Sequence, residues 1–264
     1  MGILNITPDS FSDGGQLWQS GTLAADALLT RAQDMVSAGA SILDIGGEST
    51  RPGALSPSEE EELDRVIPAI ESITQRLDVC VSIDTSSPAV MQAAVTAGAH
   101  MINDVRALER PGALALVAEL SVPVCLMHRQ GDPQTMQLAP TYDDVVAEVS
   151  AYLLQRAEAA RLAGIDPERI VLDPGFGFGK TLSHNLVLLK RLPELASLPY
   201  PLMVGLSRKS MIGEMTGRPT QERLVGSVLL AVLAAQRGAI ILRVHDVAET
   251  VDALKILDAM RDKG

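Results

Sequence analysis

The chain has 264 residues and a formal net charge of −11 at pH 7, with 47% hydrophobic but only 3% aromatic residues. This acidic balance excludes a general nucleic-acid-binding protein, because such proteins need a basic surface to displace counterions. No run of about 18 apolar residues occurs, so we expect no membrane-spanning helix and a soluble, cytoplasmic protein. The apolar residues are mainly Leu, Val, Ile and Ala, which is typical of side chains layered between parallel strands and helices.

The two cysteines, Cys80 and Cys125, lie inside apolar runs and lack the spacing of metal ligands. We expect both to be buried free thiols, which indicates a reducing compartment. The four histidines are too scattered along the chain for a zinc site, and no Ser or Cys has an evident base partner. Covalent hydrolysis is therefore not favoured.

Short apolar runs alternate with amphipathic segments along the whole chain. Strands are predicted at 2–6, 41–45, 79–83, 100–103, 124–127, 170–172, 202–204 and 240–244. Helices are predicted at 24–38, 59–76, 89–97, 112–120, 143–163, 185–192, 222–237 and 248–261. This repeated alternation predicts an α/β fold of the (β/α)₈ TIM-barrel type. No Pro/Ser-rich linker or low-complexity tract interrupts the chain, so we expect a single domain over residues 1–264.

Polar side chains follow the predicted strands at the point where each strand ends. They are Asn5, Asp44, Glu48, Asp84, Asn103, Asp104, His128, Asp173, the segment 207–210, Arg243 and His245. In a barrel these positions lie together at the carboxyl rim, where this fold builds its active sites. Taken singly, Asp84 or Asp104 could equally cap the helix that follows it, so the prediction rests on the group.

The segment DPGFGFGK at 173–180 follows a branched apolar run and carries alternating glycines, which predicts a loop that approaches its surroundings closely. Phe176 and Phe178 lie in this loop, and Phe11 lies in another Gly/Asp-rich loop. Phenylalanines in such loops indicate contact with a flat ligand, although the rings could instead fill a gap under the loop. A phosphate-binding loop is excluded, because Pro174 stands where that motif needs glycine.

The polar residues at the strand ends fall into two sets, one of acids and an amide and one of cations. Asp84, Asn103 and Asp173 offer acceptors and an amide, which suit the donor-rich edge of a nitrogen heterocycle. The cations of the other strand ends are Arg51, Arg208, Lys209, Arg243 and His245. Phosphate sites of barrels tend to follow the last two strands, and arginine matches phosphate oxygens bidentately. We therefore expect an anionic heterocyclic substrate, with Asn5 and the acidic loop 9–13 supplying oxygen ligands for Mg²⁺.

Several blocks of this sequence resemble the signature motifs of the dihydropteroate synthase family. They are MGILNITPDSFSDGG at 1–15, DIGGESTRPG at 44–53, SIDT at 82–85, ND at 103–104, MH at 127–128, DPGFGFGK at 173–180, VGLSRKS at 204–210 and RVHD at 243–246. The resemblance runs in order along the chain. It implies a (β/α)₈ barrel, usually a homodimer, that joins p-aminobenzoate to 6-hydroxymethyl-7,8-dihydropterin diphosphate with Mg²⁺. The products are 7,8-dihydropteroate, for folate synthesis, and diphosphate; sulfonamides compete with p-aminobenzoate.

The resemblance also implies roles for individual residues. It assigns the pterin to Asp84, Asn103, Asp173 and Lys209, and the diphosphate to Asn5, Thr50, Arg51, Arg243 and His245. It assigns p-aminobenzoate to Phe11, Pro52, Phe178 and Ser210, and Mg²⁺ to Asn5 and Asp13. The catalytic residues on this assignment are Lys209, Arg243 and His245.

The mechanism that the resemblance implies needs no protein nucleophile. Cations and Mg²⁺ that stabilise the leaving diphosphate favour breaking the C–O bond first, followed by attack of the arylamine on a pterin-methyl cation. The segments 8–21 and 49–57 are rich in Gly, Pro and Ser. We expect them to close over the site and exclude water.

Two alternative functions stay open. A corrinoid-dependent methyltransferase barrel would share the pterin-reading acids, but Arg51, Arg243 and His245 argue against it because a methyl donor leaves no diphosphate to neutralise. A non-catalytic paralogue that binds pterin or a partner protein is the second alternative.

Two further expectations concern the ends and the surface of the barrel. Family members usually carry a segment before the first barrel strand, and here we expect that lead-in to be absent because the strand begins at Gly2. The helices at 222–237 and 248–261 are rich in Ala, Leu and Val, which suits either a homodimer interface or a buried layer.

Overall fold

A ring of parallel strands forms the centre of the fold. The computed structural model describes residues 1–7, 18–19, 22–48, 57–131, 136 and 139–261. In chain order the strands are β1 (Gly2–Asn5), β2 (Trp18–Gln19), β3 (Thr22–Leu23), β4 (Ile42–Gly46), β5 (Cys80–Asp84), β6 (Met101–Asp104), β7 (Val124–Met127), β8 (Ile170–Asp173), β9 (Met203–Val204) and β10 (Ile241–Leu242). β2 and β3 form a separate antiparallel hairpin, and the other strands build the barrel.

The barrel strands form two parallel sheets that are joined into a ring at two places. β1, β4, β5, β6, β7 and β8 form one parallel sheet in that order, and β9 pairs in parallel with β10. A parallel bridge between Leu172 and Leu202 joins β8 to the residue before β9. Another, between Gly2 and Val244, joins β1 to the segment after β10. The Ile3 amide donates to the Val244 carbonyl at 3.0 Å. These contacts link the short pair to both edges of the sheet, as the predicted (β/α)₈ architecture requires.

Helices connect successive barrel strands. They are α1 (Ala25–Ser37), α2 (Glu59–Thr74), α3 (Pro88–Thr96), α4 (Ala113–Leu120), α5 (Val145–Leu162), α6 (Leu182–Lys190), α7 (Leu192–Ala196), α8 (Ser210–Thr216), α9 (Leu224–Gln236) and α10 (Val247–Arg261). Ser58 caps α2, and the Glu61 side chain accepts from the Ser58 amide in return. Asp144 caps α5 by accepting from the Val146 and Ala147 amides. These local side chains satisfy the first free amides and fix where the helices begin.

Alternation along the strands places the residues that line the cavity above an apolar floor. The floor is a buried cluster of one residue from each of four neighbouring strands: Met101, Cys125, Val171 and Met203. Two residues further along the chain, on the same side of each strand, come Asn103, Met127, Asp173 and Gly205. Because side chains point to one face at every second residue, the strands themselves aim this second set into the mouth of the barrel.

The predicted elements are confirmed. Each predicted barrel strand and helix is present, with ends that differ by a few residues. The hairpin, α7 and α8 are additional to the predicted elements; α7 has only five residues, with a proline in its first turn, and α8 has only seven. Within the described ranges, no helix combines the length and apolar character needed to cross a membrane.

Candidate active site

A cavity of about 230 Å³ opens at the carboxyl ends of the barrel strands. The four residues predicted for the pterin line it together: Asp84, Asn103, Asp173 and Lys209. Four residues predicted for the diphosphate and p-aminobenzoate line it as well: Asn5, Phe178, Arg243 and His245. The barrel thus brings together residues that are up to 240 positions apart in the sequence, from Asn5 to His245.

Arg243 is the centre of a buried ion-pair network. Its Nε donates to Asp44 Oδ2 at 2.5 Å, and its Nη2 donates to Asp84 Oδ2 at 2.7 Å. Asn103 Nδ2 donates to the same Asp44 oxygen at 3.1 Å. Asp44 is 0% exposed, so it holds both the guanidinium and the amide from beneath the cavity. Among the described residues Nη1 of Arg243 has no hydrogen-bond partner, and it is the nitrogen that remains for a bound anion.

Both carboxylates of the pterin set titrate in a poorly solvated environment. Burial raises the pKa of Asp84 to about 7, although the Arg243 guanidinium opposes that rise. Burial also raises the pKa of Asp173, against the nearby Lys209 ammonium. Asp173 Oδ1 accepts from the Gly175 amide at 2.7 Å, which orients the carboxyl group. Hydrogen bonds from a ligand are worth more in such a site than in water, because the local dielectric constant is low.

Lys209 places a cation beside Asp173 and beside an aromatic ring. Its Nζ donates to the Phe176 carbonyl and lies 4.7 Å from the centroid of the Phe178 ring. Burial lowers the pKa of Lys209 to about 8, while the Asp173 carboxylate opposes that change. An acceptor, a donor and an apolar wall therefore adjoin one another on one side of the cavity.

The two phenylalanines of the glycine-rich loop differ in role. Phe176 is fully buried in the core, whereas Phe178 lines the cavity. Gap filling, the simpler alternative, is therefore right for Phe176, and ligand contact remains the interpretation for Phe178. The predicted close approach is also confirmed: a Cβ atom on Gly175 would lie 1.8 Å from the His128 carbonyl oxygen.

The cations after β9 and β10 are held by neighbouring side chains. His245 Nδ1 lies 2.9 Å from Ser207 Oγ. Arg208 Nε donates to one oxygen of Asp246 at 3.0 Å, and Nη2 donates to the other. The Arg208 guanidinium is thus engaged by a carboxylate, which differs from the expected role of a cation offered to phosphate.

Asp104 organises a loop instead of lining the cavity. Its carboxylate accepts from the Ser86 hydroxyl and from the Arg106 and Leu108 amides, each amide at 2.8 Å. Asp104 therefore neither lines the cavity nor caps the following helix, since the N-cap of α4 is Gly112. The capping alternative is also wrong for Asp84, because α3 is capped by Ser87.

Two other predicted positions lie outside the cavity. His128 is buried behind the loop after β8, where its Nδ1 lies 2.9 Å from Lys180 Nζ. Ser210 is exposed at the first position of α8, a helix of seven residues. The cavity lining comes close to it at Lys209, the residue before it.

Five predicted site residues lie outside the described residues: Phe11, Asp13, Thr50, Arg51 and Pro52. Most of the predicted closing segments, 8–21 and 49–57, lies there too. Of the predicted Mg²⁺ ligands only Asn5 is described, and no group of three or more His, Cys, Asp or Glu side chains in the described ranges could hold a metal ion. Mg²⁺ commonly takes one or two protein oxygens with phosphate and water completing the shell, so the Asn5 side chain at the cavity fits as one ligand.

Sequence reasoning assigned no role to Asp44 or to Lys180. Asp44 lies inside the apolar run ILDIG, and this position is the signal in the sequence that it points into the barrel. Lys180 ends the glycine-rich block DPGFGFGK, which gives no sign of where its side chain lies. Its 3% exposure shows a buried ammonium, which sequence spacing alone gives no means of recognising.

Comparisons with known proteins identify the family of this chain. A model of the pterin binding enzyme family matches residues 1–245. The dihydropteroate synthase of Escherichia coli strain K12 is 55% identical over 259 residues, which is 98% of this chain and 90% of that protein.

Solved structures of dihydropteroate synthases are also similar to this chain. A crystal structure of the Yersinia pestis dihydropteroate synthase with a sulfonamide drug complex has a TM-score of 0.95 and 53% identity, covering 99% of this chain and 94% of that chain. The Xanthomonas albilineans dihydropteroate synthase with 4-aminobenzoic acid has a TM-score of 0.91 and 54% identity, covering 99% and 92%. The chain therefore belongs to the dihydropteroate synthases, within the pterin-binding enzyme family.

Proposed function

We propose that the chain carries out the synthase reaction in the cavity described above, as a transferase of folate synthesis. It condenses 6-hydroxymethyl-7,8-dihydropterin diphosphate with p-aminobenzoate to give 7,8-dihydropteroate and diphosphate. The observation that carries the proposal is the shared cavity, in which Asp84, Asn103, Asp173 and Lys209 lie beside Arg243. Acceptors for a heterocycle and a cation for a leaving anion are thus within reach of one bound molecule.

We assign the pterin ring to Asp173, Lys209, Asn103 and Asp84. One carboxylate oxygen of Asp173 accepts from the Gly175 amide. The other oxygen is therefore the acceptor for the N–H groups of the pterin ring. Lys209 is the donor for the ring oxygen and a ring nitrogen. Leaving a buried polar group of this kind unpaired costs about 1–3 kcal/mol, which is why the right heterocycle binds in preference to others.

We assign the diphosphate to Asn5, Arg243 and His245, together with Thr50 and Arg51 from outside the described residues. Arg243 Nη1 is the group that supports this assignment, because the other two nitrogens already bind Asp44 and Asp84. Mg²⁺, held at Asn5 and Asp13, would neutralise charge on the diphosphate.

We assign p-aminobenzoate to the Phe178 side of the cavity, with Phe11, Pro52 and Ser210 as the other contacts. The Phe178 ring supplies an apolar face for the benzene ring. p-Aminobenzoic acid is bound in the similar Xanthomonas albilineans enzyme, and a sulfonamide drug in the Yersinia pestis enzyme, which supports sulfonamides as competitors here.

In the proposed mechanism the diphosphate departs first. Arg243 and His245 stabilise the charge that develops on the leaving oxygen, and the buried acids hold the pterin ring in place. The lone pair of the p-aminobenzoate amine then forms the C–N bond to the methylene carbon, and the resulting ammonium releases one proton to solvent; the electron pair of the broken C–O bond has left with the diphosphate. No protein nucleophile is needed.

We further propose that residues 1–264 work as one domain, that the chain is cytoplasmic and that it forms a homodimer. Cys80 and Cys125 are free thiols, which supports a reducing compartment; Cys125 is buried as expected, whereas Cys80 is only half-buried. Val225 and Leu229 on α9 and Ile256 on α10 are exposed apolar side chains, which supports an interface on these packed helices. Sedimentation of the purified chain tests the dimer, and a monomer at micromolar concentration would contradict it.

The experiment that tests the function is diphosphate release by the purified chain with Mg²⁺, with and without p-aminobenzoate. Release that rises with p-aminobenzoate and yields dihydropteroate is the expected result. Asp173→Asn should lower kcat/KM about 10- to 100-fold, because one buried acceptor is lost. Asp143→Asn, at an exposed loop position, is the control and should match the parent. A chain that binds pterin and releases no diphosphate would overturn the proposal.

A second measurement tests the order of steps. The pterin diphosphate is labelled with oxygen-18 between carbon and phosphorus and incubated without p-aminobenzoate. If the C–O bond breaks first and reversibly, the label moves into the non-bridging oxygens of the same phosphate. Recovered substrate with no redistribution, from an enzyme that turns over with p-aminobenzoate present, would argue against departure before attack.

A further inference from the structure

The end of β8 and the loop after it carry one residue for the pterin half of the proposed site and one for the p-aminobenzoate half. Asp173 ends β8, and Phe178 lies five residues later; both line the cavity. Between them the chain turns back on itself, with the Phe178 amide donating to the Gly175 carbonyl at 3.1 Å. The separation of the pterin acid from the aromatic wall therefore depends on the shape of this turn.

Lys180 holds the turn from behind, away from the cavity. Its Nζ lies 2.9 Å from the Gly175 carbonyl oxygen, 3.2 Å from the Phe178 carbonyl oxygen and 2.9 Å from His128 Nδ1. Lysine has three N–H donors, so all of them are used. The side chain is 3% exposed and is not among the residues that line the cavity.

The protonation state of His128, the third partner of Lys180, allows it to accept a hydrogen bond from the ammonium. Burial lowers the pKa of His128 to about 3, with the Lys180 charge acting in the same direction. His128 is therefore neutral, and its Nδ1 accepts from the ammonium while Nε2 carries the proton. Burial also lowers the pKa of Lys180 to about 7, which the Asp173 carboxylate opposes.

Other contacts fix single points of the loop. Asn185 Oδ1 accepts from the Gly177 amide at 2.9 Å, and Tyr142 Oη donates to the Gly179 carbonyl at 2.8 Å. Lys209 donates to the Phe176 carbonyl from the cavity side. Of the side chains described, Lys180 alone binds both ends of the turn that separates Asp173 from Phe178.

We infer that Lys180 is a positioning residue that sets where Phe178 stands relative to Asp173, and so matches the arylamine half of the site to the pterin half. Burying an ammonium is costly even with every donor satisfied, and an apolar side chain of similar length would fill the space at lower cost. The inference rests on the proposed function, because it assumes that p-aminobenzoate binds against Phe178.

Asp173 and Phe178 depend on Lys180 to different degrees. Asp173 lies in β8 and pairs with Met127 of β7, and its carbonyl accepts from the His128 amide at 2.9 Å. Phe178 has no strand to hold it. Loss of the Lys180 donors should therefore move the aromatic wall and leave the pterin acid in place.

The test compares Lys180→Met with Lys190→Met, the same substitution at an exposed residue of α6. We expect Lys180→Met to raise the KM for p-aminobenzoate at least tenfold. The kcat at saturating p-aminobenzoate, and the Kd of the pterin measured by calorimetry without p-aminobenzoate, should change less than threefold. Lys190→Met should match the parent in all three quantities.

Unchanged KM in Lys180→Met, or equal loss of pterin and p-aminobenzoate binding, would overturn the inference while the synthase function stands. A parent chain that makes no dihydropteroate overturns the proposed function and this inference together. If Lys180→Met does not fold, His128→Leu and His128→Asn decide instead, because only Asn keeps an acceptor for Lys180. A higher KM for p-aminobenzoate in the Leu variant than in the Asn variant supports the inference, and equal values contradict it.

Discussion

Arg243 Nε and Asp44 Oδ2 lie 2.5 Å apart, although the two residues are 199 positions apart in the sequence. The contact joins the last barrel strand to the second one and lies directly under the cavity. The second donor of Arg243 reaches Asp84. The cation expected to face a phosphate is thus already shared by two carboxylates through Nε and Nη2, and Nη1 is the nitrogen left for substrate.

This relationship predicts that Asp44→Asn destabilises the chain by about 3 kcal/mol. Removing one charge of a buried ion pair costs about 3–5 kcal/mol. The lower end is expected here, because Arg243 keeps its pair with Asp84 and the new amide recovers part of one hydrogen bond. Urea unfolding measures the change. Asp252→Asn is the control, since its pair with Lys255 is largely exposed and exposed pairs contribute little. Equal stability of the two variants would contradict the prediction.

The sequence was sufficient for the barrel and for most of the cavity lining. Periodicity located the strands, and the rule that barrels place their sites at the carboxyl ends selected Asp84, Asn103, Asp173 and Arg243. What it did not determine is which partners a polar residue at a strand end finds. Asp84 and Asp104 each end a strand, yet Asp104 satisfies loop amides and Asp84 faces the cavity.

Strand alternation explains the orientation: Asn103 faces the cavity, so Asp104, the next residue of β6, points to the opposite side. The partners that these side chains meet depend on tertiary contacts that no local pattern encodes. Asp104 is drawn away by the Ser86 hydroxyl, which comes from a neighbouring strand end. Arg208 is drawn to Asp246 in the same way. Charge patterning counted Arg208 among the phosphate cations because the partner carboxylate lies 38 positions away in the sequence.

Alanine substitutions of the two phenylalanines in the glycine-rich loop should have separate effects, one on stability and the other on p-aminobenzoate binding. Phe176→Ala is expected to lower the free energy of unfolding by about 3–5 kcal/mol, because it empties a fully buried site. Phe178→Ala should leave stability nearly unchanged and raise the KM for p-aminobenzoate, since the ring lines the cavity. Thermal unfolding and steady-state kinetics measure both. Similar losses of stability in the two variants would show that Phe178 is also a core residue.

Gly175 and Gly217 form a matched pair for testing the close approach of the loop. Both have positive φ, +66° and +71°, so alanine costs about 1–2 kcal/mol of backbone strain at either site. At Gly217 a Cβ atom meets nothing within 4 Å, whereas at Gly175 it would lie 1.8 Å from the His128 carbonyl oxygen. We expect Gly175→Ala to unfold at a clearly lower temperature and to lose activity, and Gly217→Ala to keep its activity. Equal behaviour would mean that the loop can move without cost.

The last prediction concerns pH and Asp84. In the folded chain burial raises the pKa of Asp84 to about 7 from the ordinary value of 3.8, so the carboxyl group keeps its proton to higher pH than in the unfolded chain. Between these values the folded state binds more protons, and the stability that Asp84 contributes therefore falls as the pH rises from about 4 to about 7. Asp84→Asn does not titrate. The free energy of unfolding of this variant minus that of the parent should become more positive from pH 5 to pH 8, measured by urea unfolding. A difference that stays constant across this range would mean that Arg243 holds Asp84 ionised throughout.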